Sequence, residues 1–420
     1  MEYQNCCVHL SHNNDQPDWA DLLAKDWLDT IRGIYKEKTP PKDGFSTAIV
    51  KKTGKELSTA VDKGYILDGI DYGTPDFIAR EVLKRNVWKF SVAKNYNDCI
   101  RLNNLLLRPD GSIRPWHEFK REAMMIVGMS NRYLKTEYDT IVAGAMMSRK
   151  WQEIQRNKHI FPFVKFMVTM DDHTSEICSP LHGIVVSVDD PFLQQYFPPN
   201  HFNCRTDVIK LRNAEPTPQR LLPYIDIPKA FLNNVGATGE IFTEENRYIA
   251  NTPDEVLEKS KLYSERFSKY EKLKSDENYY DVEFSDNAGL KAIHKEHHFD
   301  KKTGIYEKIV QDLFYKRGDF FTLESEASDV VGKKVDGFIN IYTHDISTII
   351  GIGKNTIKRA LKHSVDKKAE VAILYYTEGT FDIELLKNSI KGVYGLTKHR
   401  FEYIYYIVND KIYTIKKPSE

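Results

Sequence analysis

Residues 178–183 read Cys-Ser-Pro-Leu-His-Gly, residues 189–192 read Asp-Asp-Pro-Phe, and residues 198–206 read Pro-Pro-Asn-His-Phe-Asn-Cys-Arg-Thr. Proline, asparagine and glycine mark turns and loops, so the pattern predicts a compact loop region. The apolar run at 161–170 precedes this region and predicts a buried strand leading into it. Because the region has few apolar residues of its own, its fold must depend on specific polar contacts or on a bound ion.

Two cysteines and two histidines in this region suggest a metal site. Cys178 and His182 are four residues apart, and His201 and Cys204 are three apart, with 18 residues between the pairs. Two thiolates and two imidazoles can complete a tetrahedral zinc site, and a structural zinc would fix a loop that has little to bury. The sequence therefore predicts Cys178, His182, His201 and Cys204 as metal ligands.

A second interpretation of the same loop needs no metal. Both cysteines would then be buried thiols, while His201, Asn203 and Arg205 would hydrogen-bond the loop. Nucleophilic catalysis by Cys178 is not favoured, because no residue that would orient a histidine base is identifiable. The sequence leaves the first two interpretations open.

The composition narrows the class of protein. A length of 420 residues suggests two or three domains. The 60 basic residues balance 60 acidic ones, so the net charge does not indicate nucleic acid or a membrane as a partner. Five cysteines are few, which favours a reducing cytoplasm over a disulfide framework. We expect no signal peptide and no membrane span, since the start lacks a signal pattern and no long apolar run occurs.

Helical periodicity dominates the first part of the chain. It predicts helices at 18–36, with Asp18 as N-cap, and at roughly 75–106. The segment 115–158 contains no proline after its first residue and predicts one long helix of roughly 60 Å. Its methionine-rich patches suit either a bundle core or an assembly surface.

The pattern changes to mixed α and β beyond a charged helical segment at 252–281. We predict helices at 307–315, 355–364 and 381–392, and strands at 320–323, 335–343, 371–376, 403–408 and 412–415. The predicted fold class is multidomain α+β, with a mainly helical first part that contains the long helix and a small β and loop motif. The predicted domains are a helical N-terminal region at 1–74, a second domain at 75–245, a charged helical linker at 246–284 and a smaller α+β domain at 285–420.

The loop region resembles the signature of the phage head morphogenesis family, the minor head proteins related to phage Mu protein F. The matching residues are Cys178, Leu181, Gly183, 189–192 and 198–206. The resemblance covers roughly residues 80–245, including the segment at 227–236. It implies a role in capsid assembly and DNA packaging near the portal, a place in the procapsid and virion after synthesis in the host cytoplasm, and no catalytic centre in this part.

The last domain resembles the phage nucleases grouped with barnase, EndoU, colicin E5/D and RelE. The matching pieces are 289–300, Glu307, 323–326, 335–337 and 357–363. A toxin-like domain often extends head proteins of this family, so the resemblance implies a ribonuclease-like effector acting on host RNA such as tRNA.

The chemistry of that domain is argued from its residues. The strand after Asp336 lacks the carboxylate and lysine of a metal-dependent nuclease, which disfavours a two-metal mechanism. Metal-free RNA cleavage needs a base, an acid and cations. We predict the catalytic residues His294, His297, His344 and Arg359. We predict the RNA-binding residues Lys354, Lys358 and Lys362 at helical spacing, and the groove residues Glu307 and Asp336, of which Asp336 is either a turn residue or the partner of a basic group.

Charge also distinguishes the end of the chain. Residues 351–420 hold 13 basic and 8 acidic residues, a net charge of 13 − 8 = +5, which favours a surface that faces RNA. Two other functions stay open: a purely structural head protein whose last domain is a non-catalytic binding module, and a packaging factor that binds phage DNA. The expected partners are the portal, other head proteins and RNA, and no membrane.

Overall fold

The structure is a computed structural model that describes residues 16–65, 75–325, 334–351, 353 and 355–417. The chain divides into two compact units, residues 1–265 and 266–420. The division falls inside one helix, Asp254–Ser275, which lies within the linker predicted at 246–284. Each unit is described by itself below.

Long helices form the first unit. They are α1 (Trp19–Glu37), α2 (Thr47–Tyr65), α3 (Pro75–Asn104) and α4 (Trp116–Asn157). Asp18 caps α1 as predicted, since its carboxylate accepts hydrogen bonds from the backbone N–H groups of Ala20 and Asp21. The apolar residues of α1 recur every three or four positions and are buried against the other helices.

Helix α4 confirms the long helix predicted at 115–158. Its 42 residues correspond to about 63 Å at 1.5 Å per residue. The C-terminal half is mostly buried, whereas Met124, Met125, Met129 and Tyr133 in the N-terminal half are exposed. One helix therefore supplies both a core element and an accessible apolar stripe.

A small three-stranded sheet follows α4 and supports the loop region. It contains β1 (Phe163–Val168), β2 (Val185–Ser187) and β3 (Thr206–Leu211), ordered β2-β1-β3 and antiparallel throughout. Strand β1 confirms the strand predicted at 161–170. The remaining helices of this unit are α5 (Phe192–Tyr196), α6 (Val235–Thr238), α7 (Arg247–Ala250) and the first part of α8 (Asp254–Ser275).

The second unit is built on one mixed sheet with the order β11-β10-β9-β8-β7-β6-β5-β4. Its strands are β4 (Tyr279–Phe284), β5 (Leu290–His294), β6 (Phe320–Leu323), β7 (Gly337–Ile339), β8 (Tyr342–Ile349), β9 (Val371–Tyr376), β10 (Tyr403–Val408) and β11 (Lys411–Lys416). Its helices are α9 (Gly304–Arg317), α10 (Thr356–Asp366) and α11 (Ile383–Tyr394). Each helix connects two parallel strands, as crossover connections require.

Helices cover both faces of this sheet. Strand β9 shows the alternation, because Ile373 packs in the cluster of α9 residue Phe314 while Leu374 packs with Leu361 of α10 and Leu386 of α11. The unit is therefore a three-layer arrangement with α9 on one face and α10 and α11 on the other.

The turn residues explain where one prediction was right and one was wrong. Asn409 and Asp410 both have positive φ and close the predicted hairpin of β10 and β11. The segment 335–343, predicted as one strand, instead folds into β7 and the start of β8, because Asn340 adopts φ 56° and the chain reverses there. At the far edge, β4 is interrupted by a register shift between Tyr280 and Glu283.

Candidate functional site

Three of the four predicted metal ligands meet in the loop region of the first unit. Cys178 lies just before a 3-10 turn, Ser179–Leu181, and His201 and Cys204 lie in the loop between α5 and β3. The Sγ of Cys178 is 3.1 Å from Nε2 of His201 and 3.6 Å from the Sγ of Cys204. Both cysteines are buried and His201 is half-buried.

The separation of the two sulfurs suits a tetrahedral ion. Two sulfurs at about 2.3 Å from zinc lie roughly 3.8 Å apart at the tetrahedral angle, close to the observed sulfur separation. The thiols also differ in acidity: a hydrogen bond from the Cys178 thiol lowers the pKa of Cys204 to about 5, while the same contact raises the pKa of Cys178. One thiolate is thus already favoured, and thiolates are what zinc binds.

The fourth predicted ligand, His182, does not join this group. Its side chain is exposed and its Nδ1 lies 3.2 Å from the backbone nitrogen and 3.1 Å from the carbonyl oxygen of Val168. The next residue, Gly183, adopts φ +82° and returns the chain to β1, where its N–H bonds to Phe166. The imidazole of His182 is therefore used to hold the loop against β1, and the cluster of Cys178, His201 and Cys204 is a three-residue set, called here the sulfur cluster.

Hydrogen bonds hold the same loop, as the second interpretation expects. Arg205 forms a paired ion contact with Asp171, and this guanidinium holds the pKa of the Asp171 carboxyl well below its usual range. The Nδ1 of His201 lies 2.7 Å from the carbonyl oxygen of Phe202, and the buried Asn200 donates to the carbonyl of Tyr196. The loop is shaped so that the Nε2 of His201 faces the sulfurs.

In the second unit, two of the predicted catalytic histidines are buried. Both ring nitrogens of His297 have partners: Nδ1 donates to the carbonyl oxygen of Glu324 at 3.0 Å, and Nε2 lies 2.9 Å from the carboxylate of Glu307. His344 has its Nε2 3.0 Å from the carbonyl oxygen of Thr322, and burial lowers its pKa to about 3. Neither ring lies at a surface where it can meet a phosphodiester, so their predicted role as proton donors or acceptors is not supported.

The third predicted histidine, His294, ends β5 and is half-buried. Its Nδ1 accepts a hydrogen bond from the backbone of Glu296 at 3.1 Å, and its ring contacts Tyr279 edge-on. The predicted groove residue Glu307 is the partner of buried His297 and is not free to line a groove. The structure does not gather His294, His297 and His344 into one accessible centre.

Asp336, the other predicted groove residue, does orient a basic group. Its Oδ1 lies 2.5 Å from Nζ of Lys367, and its Oδ2 accepts from the backbone N–H of Ile346 at 2.7 Å. Lys367 also contacts Oδ1 of Asp345 at 2.7 Å. Two buried carboxylates thus share one ammonium group.

Residues that sequence reasoning missed complete this arrangement. The Oδ2 of Asp345 accepts from Ser364 at 2.6 Å and lies 3.2 Å from Nδ1 of His363. We call Asp336, Asp345, His363, Ser364 and Lys367 the carboxylate cluster. It joins β8 to one end of α10.

The two carboxylates of this cluster titrate differently. Burial, followed by the charge of Asp345, raises the pKa of Asp336 to about 6. Burial alone would raise the pKa of Asp345 as well, but hydrogen bonds from His363, Lys367 and Ser364 lower it. Burial opposes the charge of Lys367, yet the two carboxylates raise its pKa. Asp345 therefore stays ionised to a lower pH than Asp336 does.

The predicted RNA-binding lysines lie in different settings. Lys362 is exposed on α10, and Lys358 is half-buried and lies over Gly392 of α11. Lys354 falls outside the described residues. Arg359 is exposed on the same helix and precedes His363 and Lys367 by four and eight residues, which puts the three on one helical face. That spacing was the available signal for His363.

Comparison with known proteins finds that one of these regions is similar to a known family. Residues 93–209 match the family model described as Phage Mu protein F like protein. This range holds all of α4, most of the small sheet and the sulfur cluster. The chain is also 29% identical over 137 residues to "Putative capsid assembly protein F" of Escherichia phage Mu. That alignment spans 30% of this chain and 31% of the phage Mu protein.

The matches cover only part of the chain and only part of the relative. The chain covers less than a third of the relative's length, and the family match ends before the second unit begins. No solved structure matches the chain. In the part of the chain that the structure describes, no helix has the length and apolar composition needed to cross a membrane.

Proposed function

We propose that this protein acts in the assembly of a phage head, as a minor head protein of the procapsid and virion. The match of residues 93–209 to the Mu protein F like family carries the proposal. The printed name of the phage Mu relative, a capsid assembly protein, supports it. The proposed partners are the portal and other head proteins, with phage DNA in contact during packaging.

The exposed stripe on α4 supports a protein partner. Met125, Met129 and Tyr133 recur every four residues and are 59%, 40% and 43% exposed, and helical residues at that spacing form one continuous strip. Contiguous exposed apolar surface is typical of protein contacts. We propose that another head protein covers this strip in the procapsid.

Virion assembly tests the proposal. In a phage that carries this gene, an early stop codon should abolish infectious particles, measured by titre, and leave aberrant or empty heads in electron micrographs. Met125→Glu should keep the protein folded but reduce its copy number in particles, whereas Lys120→Glu, an exposed change elsewhere on α4, should not. Normal heads formed without the protein would refute an assembly role.

We propose a structural zinc for the sulfur cluster. The sulfur and nitrogen separations within the cluster and the favoured thiolate at Cys204 support it. The ion would be held by Cys178, His201 and Cys204, and would fix the loop between α5 and β3. Metal analysis of the purified protein tests this directly.

A second function is proposed for the second unit: cleavage of RNA without a metal ion. The exposed basic residues of α10 beside a buried carboxylate and a half-exposed imidazole favour it over a purely non-catalytic binding module. Induced expression of the full chain in bacteria should arrest growth and degrade RNA, and Arg359→Ala should relieve the arrest. Harmless expression with intact RNA would instead favour the binding module.

A further inference from the structure

We propose that His363 is the catalytic base of this ribonuclease centre and that Asp345 positions it, an inference that rests on the proposed RNA cleavage. The centre then lies at the face of α10 that carries Arg359 and His363. It does not lie among the buried rings of His297 and His344.

The pairing of a buried carboxylate with an accessible imidazole carries the inference. The Asp345 side chain is fully buried and the His363 side chain is 45% exposed, with Oδ2 and Nδ1 3.2 Å apart. A carboxylate that accepts from one ring nitrogen fixes the tautomer and the ring orientation. Because Asp345 holds Nδ1, Nε2 is the nitrogen left to take a proton from a bound substrate.

His363 differs in this respect from the other histidine that contacts a carboxylate in the described part of this unit. His297 also contacts a carboxylate, that of Glu307, but its side chain has no solvent exposure and its second nitrogen is taken by the carbonyl of Glu324. In His297 both nitrogens are therefore committed to the fold. His363 has one committed nitrogen and an accessible ring.

The surroundings of Asp345 keep it ionised and fixed. Ser364 donates to Oδ2 and Lys367 contacts Oδ1, and Lys367 is itself anchored by Asp336. A buried ion group is stable only when its charge is paired and its hydrogen bonds are satisfied. Burying this charged network costs more desolvation free energy than burying a plain apolar contact would. In return, the network supplies a rigid, charged support for the imidazole.

The guanidinium of Arg359 lies on the same helical face as the proposed base. Arg359 lies one helical turn before His363 on the same face and is exposed, at a distance of about 5–6 Å between Cβ atoms for residues four apart. A planar guanidinium binds phosphate oxygens through two parallel hydrogen bonds. A phosphodiester bound by Arg359 would therefore present its ribose to His363.

The reaction follows from these positions. Nε2 of His363 takes the proton of the ribose 2′-hydroxyl, and the 2′ oxygen forms a bond to phosphorus. The bond between phosphorus and the 5′ oxygen breaks, and that oxygen takes a proton from water. The products are a 2′,3′-cyclic phosphate and a 5′-hydroxyl end, and His363 returns its proton to solvent. Arg359 stabilises the charge that develops on the phosphorane.

Cleavage of total bacterial tRNA by the purified full chain tests the inference, with chelator present and an all-DNA oligonucleotide as a substrate that lacks the 2′-hydroxyl. The wild-type chain should leave 2′,3′-cyclic ends and spare the DNA. His363→Ala should lower kcat by about 10²–10⁴-fold, the usual contribution of a general base, with KM unchanged. His298→Ala, an exposed histidine outside the centre, should cleave as the wild type does.

Asp345→Asn needs a readout that fold damage alone would not give. It should lower kcat to a similar degree with KM unchanged, and imidazole nitrogen NMR shifts should show that His363 no longer carries its proton mainly on Nδ1. If the variant loses cleavage while the tautomer of His363 is unchanged, Asp345 is not the positioning residue.

The outcomes separate the inference from the function on which it rests. If the wild type cleaves tRNA and His363→Ala cleaves as fast, the site assignment is wrong while the ribonuclease function stands. If the wild type, prepared in parallel with the variants, leaves tRNA intact, both the function and the site fall.

Discussion

The sulfur cluster and the carboxylate cluster both bring together side chains from different elements, yet they are built in different ways. The sulfur cluster lies on loops, and its rare residue types stand close together between residues 178 and 204. The carboxylate cluster lies just before β7, on β8 and at the end of α10, among common charged residues. The sulfur cluster can be recognised from sequence because cysteines and histidines at this spacing have few other chemical interpretations. The carboxylate cluster can be recognised only once the pairing of the strands is known.

The two clusters also differ in what stabilises them. The sulfur cluster has a favoured thiolate, and the proposed zinc ion would complete it. The carboxylate cluster carries its own cation in Lys367. The most direct comparison is therefore the loss of stability when Lys367 is replaced in the carboxylate cluster and when the proposed zinc is removed from the sulfur cluster.

The largest effect is expected from Lys367→Met. This change leaves Asp336 and Asp345 buried without their shared cation, and breaking a buried ion pair costs about 3–5 kcal/mol. Denaturant unfolding of the full chain should show this loss in the transition of the second unit. Lys362→Met, an exposed change one turn away, should stay within about 0.5 kcal/mol of wild type, and an equal loss from both variants would show that the cluster is not stabilised by Lys367.

Removal of zinc should have the next largest effect. The wild-type chain is expected to bind about one zinc ion, and saturation at a hundredfold excess over Kd adds about 2.7 kcal/mol to the stability of the folded state. Elemental analysis and thermal unfolding with and without chelator measure both quantities. Cys204→Ser should abolish the zinc and the response to chelator, while Cys99→Ser, which alters a buried thiol outside the cluster, should retain both. A metal-free wild type with an unchanged melting temperature would leave the hydrogen-bonded interpretation standing.

A pH effect of about 1–3 kcal/mol is expected from Asp336. Its pKa is raised from 3.8 to about 6 in the folded protein, so the folded state binds this proton more tightly than the unfolded state. The stability that this group contributes is present below pH 4 and is lost as the pH rises through 6. Asp336→Asn should remove that part of the pH dependence, seen by comparing denaturant unfolding of both proteins at pH 4.5 and pH 7, and parallel curves would contradict it.

The smallest effect is expected from His182→Ala. The side chain is exposed and contacts only the backbone of Val168 among its described partners, so its loss should cost less than about 1 kcal/mol. Zinc stoichiometry should be unchanged. A variant that no longer binds zinc would return His182 to the ligand set and refute the three-residue cluster.

Much of the fold could be predicted from the sequence because it depends on local signals. The cap at Asp18, the long proline-free helix and the Asn409-Asp410 turn each depend on neighbouring residues alone, and the structure confirms them. The prediction of one strand at 335–343 was wrong because the local apolar pattern runs across Asn340 and gives no sign that the chain reverses there. Which face of the sheet each helix covers could not be predicted, because it depends on pairing between distant strands.

The candidate sites show the same limit. The lysines at 354, 358 and 362 have helical spacing, and so do Arg359, His363 and Lys367, one position further on. One position rotates a helical face by about 100°, so the choice between the two stripes depends on where β8 lies. Asp345 supplies the decisive contact with His363, and it is 18 residues away across a strand and a turn. No local pattern reports that contact.

The outermost strands of the eight-stranded sheet bear on whether copies of this chain can join edge to edge. Open sheets offer unpaired backbone groups at both borders, and a second copy can add its own strand there and begin a fibre. Here β4 is broken by its register shift at Asp281, and β11 begins and ends with lysine. Interrupted pairing at one border and repelling charge at the other discourage such polymerisation.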